Sequence, residues 1–254
     1  MARDQRVVFF DVGNVLIDDD PFLSEIFRHI HQTLPTNSPK AQLERFFADV
    51  ERALHDHGHN AVERLGYRYY RRLWPKKRKE IRRAIKKAWW RLVRMIPVAR
   101  DVLEALRQDY RLGIIANQPP EVVECLDRWG LLSLFDVVLL DSQYGVAKPD
   151  PALFRLAIEE ARVDAEQSLM VGDRLDNDVI PARRLGMRAI LLWLTAGEKG
   201  WMPQSEWGRR FVKILERLPE PRWDSILPKE QPMALVRRWA ALPAELERIW
   251  TAKV

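Results

Sequence analysis

Cysteine is almost absent from this chain of 254 residues: Cys125 stands alone. A single thiol closes no intrachain disulfide, which excludes the cross-linked scaffolds of small secreted domains. Cys125 falls in the apolar pattern Val122, Val123, Leu126 and reads as a buried structural thiol. Long apolar runs are missing too. None approaches the ~18–20 residues that a membrane-spanning helix needs. The early run Val7–Phe10 is too short for a signal-peptide core, and no small-residue cleavage site follows it. These absences together predict a cytoplasmic protein with no membrane partner. One stretch is strongly basic: residues 71–94 hold twelve Lys/Arg against one Glu.

That local excess exceeds the net charge of the whole chain, +6, so the remainder is net acidic. Nucleic-acid binding is one reading of such a stretch. The other is the solvated face of a helix. Ile81, Ile85, Ala88, Trp89, Leu92, Val93 and Ile96 recur at spacings of three and four, with the charges in the gaps. The periodicity favours the helix face, and nucleic acid is not the expected partner. With 47% hydrophobic residues the chain can bury a large core, alone or with a second module. Ten Trp, several of them late, predict packing surfaces outside the main core.

Five short apolar runs read as buried strands: Val7–Phe10, 112–116, Val137–Leu140, 169–171 and 189–192. Helical periodicity separates the last four, over 120–129, Pro151–Ala161 and 176–185. Alternating strands and helices predict an α/β, Rossmann-like, doubly wound parallel sheet with right-handed crossovers. In such sheets ligands bind beyond the carboxyl ends of the strands. About 100 residues separate the first two runs, far more than one crossover helix needs. Apolar residues there follow helical spacing, as in Phe22, Leu23, Ile26, Phe27, Ile30 and in Leu43, Phe46, Phe47, Val50, Leu54. The predicted organisation is therefore a core of residues 1–17 and 97–196, a helical insertion over 18–96, and a tail, 197–254, packed on the core. Residues 234–249 of the tail read as an amphipathic helix, and the tail as a whole is a candidate surface for homodimer formation.

Chemistry should lie just after each strand. The first ends in Phe10-Asp11-Val12-Gly13-Asn14, and the second in Ala116-Asn117-Gln118. After the third comes Ala147-Lys148-Pro149-Asp150-Pro151, and after the fourth Gly172-Asp173-Arg174-Leu175-Asp176-Asn177-Asp178. Asp11, Asp173, Asp178 and Lys148 would then converge on one sheet edge. Like charges packed together call for a bridging cation, and hard carboxylate oxygens suit Mg²⁺.

In this order and spacing, Lys-Pro-Asp-Pro and Gly-Asp-x-x-x-x-Asp resemble the haloacid dehalogenase superfamily, dominated by Mg²⁺-dependent phosphatases. The resemblance implies that Asp11 is the nucleophile forming an aspartyl-phosphate, and that Lys148 neutralises the nucleophile and phosphoryl charges. It implies Asp173 as a direct Mg²⁺ ligand, Asp178 as a ligand or a holder of metal waters, and the Gly13 carbonyl as a further ligand. Asn117 and nearby N–H groups would cradle phosphoryl oxygens. The insertion resembles the family's helical cap, which selects a small phosphorylated substrate.

Two positions depart from the family pattern. Gly13 stands where phosphatases carry a second Asp, the acid/base, whose loss costs roughly 10²–10⁴-fold for a poor leaving group. Ala116 replaces a Ser or Thr hydroxyl, with Gln118 as a candidate substitute donor. Asp18, Asp19 and Asp20 are candidate replacement acids, though they read better as solvated caps of the next helix. The dehalogenases need no Mg²⁺ and lack the paired acids, so Asp173 and Asp178 favour a metal and a phosphate ester. Phosphonate-cleaving relatives tolerate a small residue at position 13 but need a cap lysine. None of Lys76, Lys77, Lys79, Lys86 and Lys87 is singled out. His55, His57 and His59 read as a polar helix end rather than a metal site. The leading expectation is a phosphomonoesterase. The alternative is a weak or inactive relative that binds an anionic ligand or partner.

Overall fold

The computed structural model describes residues 5–35, 42–86 and 88–252; Lys87 and residues 1–4, named above, lie outside them. The chain forms two compact units. The first comprises Met1–Asp18, Met95–Gly200 and Pro221–Val254; the second comprises Asp19–Arg94 and Trp201–Glu220.

The first unit is built on a six-stranded sheet. Its strands are β1 (Val7–Phe10), β4 (Arg111–Ala116), β5 (Val137–Leu140), β6 (Ser168–Gly172), β7 (Arg188–Leu192) and β8 (Ala234–Val236). Their order is β5-β4-β1-β6-β7-β8, and every pairing is parallel. Because both faces are covered, the strands are continuous apolar runs rather than alternating ones, and all four residues of β1 are buried. One face packs Phe9, Leu139, Leu153, Phe154, Met170 and Leu191 into a single cluster. Gly113 sits opposite Phe9 in the register, and a Cβ there would stand 2.5 Å from the Phe9 ring. The glycine thus makes room for the aromatic side chain.

Two more strands, β2 (Ile17–Asp18) and β3 (Arg94–Met95), mark where the chain leaves and re-enters this unit. The helical periodicity expected to run through Ile96 stops short of it. Pro97 follows, and a residue before proline is driven toward extended backbone.

The second unit is helical: Asp20–Gln32, Leu43–His57, Ala61–Tyr70, Trp74–Lys86 and Glu206–Leu215 are its longer helices. Phe27, Ile30, Phe46, Trp74, Ile81 and Phe211 belong to its core. The basic stretch behaves as a helix face. Ile81 and Ile85 point inward, while most of its charges are exposed and some pair locally, as in Lys77–Glu80 and Arg78–Glu63, each at 2.7 Å. Gly58, at φ 48°, ends the helix Leu43–His57 inside the histidine-rich segment.

The tail departs from expectation in two ways. It is divided: Trp201–Glu220 belongs to the helical unit, because Phe211 and Ile214 enter that unit's core. In its second part, residues 234–236 form a strand instead of the start of a helix. Ala234, Leu235 and Val236 pair with the open edge of β7, and helix Leu242–Thr251 starts only where Pro243 occupies its first turn. Between them, Trp239 stacks on Phe10 (ring centroids 5.7 Å apart) and donates from Nε1 to the Val15 carbonyl at 2.9 Å. The late tryptophans thus pack inside both units, Trp207 lying against Phe47 in the helical one.

Trp239 is 1% exposed. Trp239→Ala should therefore lower unfolding free energy by about 3–5 kcal/mol, read from denaturant titrations. A loss under about 1 kcal/mol would place Trp239 outside the cooperative core.

Candidate active site

Parallel pairing puts the carboxyl ends of β4, β1 and β6 side by side. The chain runs from β1 outward to β4 and β5, then returns to β6 on the other side, so β1 lies at the switch in strand order. Asp11 follows β1, its N–H donating to Val171 O at 2.9 Å. Asp173 follows β6. Lys148 comes from the loop after β5, just before helix Pro151–Ala161, which Asp150 caps by accepting from Ala152 N at 2.9 Å.

These loops bring Asp11, Lys148, Asp173 and Asp178 together, all buried. The Lys148 Nζ lies 2.8 Å from Asp11 Oδ1 and 2.6 Å from Asp178 Oδ1. Asp11 Oδ1 also accepts from Val12 N at 2.7 Å, and Asp178 Oδ2 accepts from Arg174 N at 3.0 Å. Asp178 returns to the strand end through a single π turn, Leu175–Val179. That return depends on Gly172: a Cβ there would lie 2.3 Å from Asp178 Cβ.

Carboxylate oxygens of Asp11, Asp173 and Asp178 all lie within 4.8 Å of one another. Three carboxylates against one ammonium leave this cluster with a negative excess, and its donors are all hard oxygens. The residues therefore fit a bound metal ion. The electrostatics agree. Burial raises the Asp173 carboxyl well above the usual carboxylate range, and Asp178 and Asp11 add to the shift. Asp178 is pushed up to about 6 by burial, which outweighs the attraction of Lys148. Burial works against the Lys148 charge, yet Asp11 and Asp178 prevail and raise it.

The other expected residues make contacts of their own. Asn117 clasps the main chain of Lys148: Nδ2 donates to Lys148 O and Oδ1 accepts from Lys148 N, both at 2.8 Å. Its amide thus positions the lysine. Ala116 is buried at the end of β4 and offers no hydroxyl. The main chain of Gln118 bonds to Asp141 Oδ1 and Ser142 Oγ. Gly13 bridges to Ile17 in the turn after Asp11. Asp18 and Asp20 are buried, not solvated caps; Asp18 lies in β2, with its Oδ1 3.9 Å from Lys199 Nζ. Lys199 gave no motif signal, since Gly197-Glu198-Lys199-Gly200 reads as a polar turn. Cys125 is buried, and burial raises its thiol. No helix among the described residues is long and apolar enough to cross a membrane.

A doubly wound sheet with a buried acid–lysine cluster beyond its central strands defines a class of α/β hydrolases. The chain belongs to the haloacid dehalogenase-like hydrolases, matching that family over residues 8–192. It is 28% identical to a glyceraldehyde 3-phosphate phosphatase of Pyrococcus abyssi over 76% of this chain and 82% of that protein. It is 37% identical to a phosphoserine phosphatase of Thermus thermophilus over 40% of this chain and 41% of that protein. In fold it resembles the HAD-hydrolase YfnB of Bacillus subtilis, crystallised bound to magnesium. The TM-score is 0.56 at 20% identity, covering 99% of this chain and all (100%) of that one.

The raised carboxyls set a pH dependence. A folded-state pKa of about 6 for Asp178 means that its stability contribution is complete below the unfolded value near 4. That contribution is lost as pH rises through about 6, where the charged form is trapped in the interior. A cation binds that charged form. An added divalent cation that binds the cluster should therefore raise Tm little at about pH 5 and markedly above about pH 7. An equal effect at both values would contradict this electrostatic account.

Proposed function

We propose that the protein is a Mg²⁺-dependent phosphomonoesterase acting on a small phosphorylated metabolite, with Asp11 as the nucleophile. The observation that carries this reading is the Lys148 ammonium, buried between Asp11 and Asp178 beside a third carboxylate. The named activities of the two phosphatase relatives, and the magnesium of the Bacillus protein, support it.

In this reading an Asp11 carboxylate oxygen bonds to phosphorus as the ester P–O bond breaks, and the leaving oxygen takes up a proton. Water then attacks phosphorus, the aspartyl–phosphorus bond breaks, and inorganic phosphate leaves while the Asp11 carboxylate is restored. Lys148 offsets the charge of nucleophile and phosphoryl group, and Asn117 holds the lysine's main chain. Asp11, Asp173, Asp178 and the Gly13 carbonyl would hold the Mg²⁺, which supplies positive charge against the phosphoryl oxygens. The second Nδ2 hydrogen of Asn117 and nearby N–H groups would serve those oxygens in place of the missing hydroxyl at Ala116. Gly13 carries no acid, so leaving-group protonation falls to solvent or to a group from elsewhere. Substrate choice is assigned to the helical unit inserted between β2 and β3, acting as the cap. We place the protein in the cytoplasm, in keeping with its single buried thiol.

The test is a panel of phosphate esters, including glyceraldehyde 3-phosphate and phosphoserine, with and without Mg²⁺. Wild type should release phosphate only with Mg²⁺, and Asp11→Asn should be slower by on the order of 10³-fold or more. Absence of release across the panel, or an Asp11→Asn rate equal to wild type, would overturn the reading. Gly13→Asp should raise the rate on unactivated esters by about 10²-fold if the missing acid limits turnover. An unchanged rate would show that protonation is not limiting.

A further inference from the structure

The turn after the nucleophile position is tight. Leu16 N and Ile17 N both donate to Val12 O at 2.9 Å, and Asn14 sits inside the turn at φ 53°, in the left-handed region. Asparagine tolerates that region better than most residues, but glycine tolerates it better still. The backbone alone would be served by glycine, so the asparagine side chain has a separate employment. Its Oδ1 accepts from Lys199 Nζ at 3.0 Å.

Lys199 arrives from 185 positions along the chain and is only 8% exposed. It ends the single-turn helix Ala196–Lys199, which Thr195 caps and which closes at Gly200 with φ 79°. Its ammonium also lies 3.9 Å from Asp18 Oδ1, a carboxylate with no exposed surface. Buried charges persist where they are paired, so Asp18 fixes the ammonium and the ammonium fixes Asn14. Gly13 offers the site only main-chain groups. Their directions depend on the torsions of residues 13 and 14, so whatever holds Asn14 also orients them.

We propose that Lys199 is a positioning residue for the nucleophile loop: anchored by Asp18, it holds the Asn14 side chain and so orients the main-chain groups of residues 12–14. The proposal rests on the phosphoesterase reading only for its effect on rate. The latch itself is a property of the folded chain. The positive charge of Lys199 is also felt at Asp173, whose carboxyl it pulls downward against the larger upward push of burial.

Three variants test it: Lys199→Met, Lys199→Arg and Asn14→Gly. Asn14→Gly keeps the left-handed torsion and the Lys199–Asp18 pair, so it removes the latch without stranding a buried charge. On the best phosphate ester, Lys199→Met and Asn14→Gly should each lower kcat by about 10–100-fold, with KM changed far less. Lys199→Arg should restore part of the loss. The Lys199→Met/Asn14→Gly double variant should be no slower than the slower single variant, because both break one contact. Losses that multiply, or a Lys199→Met kcat equal to wild type, would overturn the proposal. Amide hydrogen exchange gives a readout independent of turnover. Asn14→Gly should speed exchange over residues 12–17 and leave the sheet unchanged, whereas unchanged protection there would overturn the latch. If wild type hydrolyses no ester while the exchange result holds, the phosphoesterase reading fails and the latch stands.

Discussion

A buried ammonium among three carboxylates organises this molecule. Lys148 lies within 3 Å of both Asp11 and Asp178, on loops that follow three different strands. An interior charge is tolerated only with its partners in place, and removing one partner of a buried pair costs about 3–5 kcal/mol. The surrounding structure supplies the precision. Asn117 grips the lysine's main chain from the end of β4, Arg174 N holds Asp178, and Gly172 lets Asp178 fold back on the strand end. Even so, the acids outnumber the lysine. The carboxyls of Asp173 and Asp178 are raised by burial, as fits a site that could hold a cation.

The sheet makes this convergence inexpensive. Because every strand is parallel, each strand end falls on the same edge, and short loops suffice to bring distant residues together. The late segment reinforces the same region from the other direction. Trp239 holds the Val15 carbonyl and Lys199 holds Asn14, so the turn after Asp11 is braced at two successive residues by side chains near the end of the chain. A loop that carries no acid at Gly13 is thereby given a defined main-chain geometry.

The parts legible in the sequence were those with a local pattern. Apolar runs of three to five residues announced β1, β4, β5, β6 and β7, and the charged residues directly after them announced the cluster. Helical spacing announced the insertion. What stayed hidden depended on distant partners. Ala234–Val236 is too short to declare itself a strand until the free edge of β7 is known. Helix Glu206–Leu215 looks like any amphipathic helix, and only its packing with Phe27 assigns it to the helical unit. The Asn117 amide also has a main-chain partner in the loop after β5, Lys148, which no local pattern announces. Asp18 looked like a solvated cap because its buried cation, Lys199, lies far away in sequence.

The central claim is that Asp11 takes up the phosphoryl group. The direct measurement is an acid quench during turnover of a ³²P-labelled ester in Mg²⁺, followed by peptide mapping. The account predicts a labelled peptide containing Asp11, stable in acid and released by hydroxylamine, as an acyl phosphate should be. Label on another peptide, or turnover with no labelled protein under conditions that slow hydrolysis of the intermediate, would contradict it.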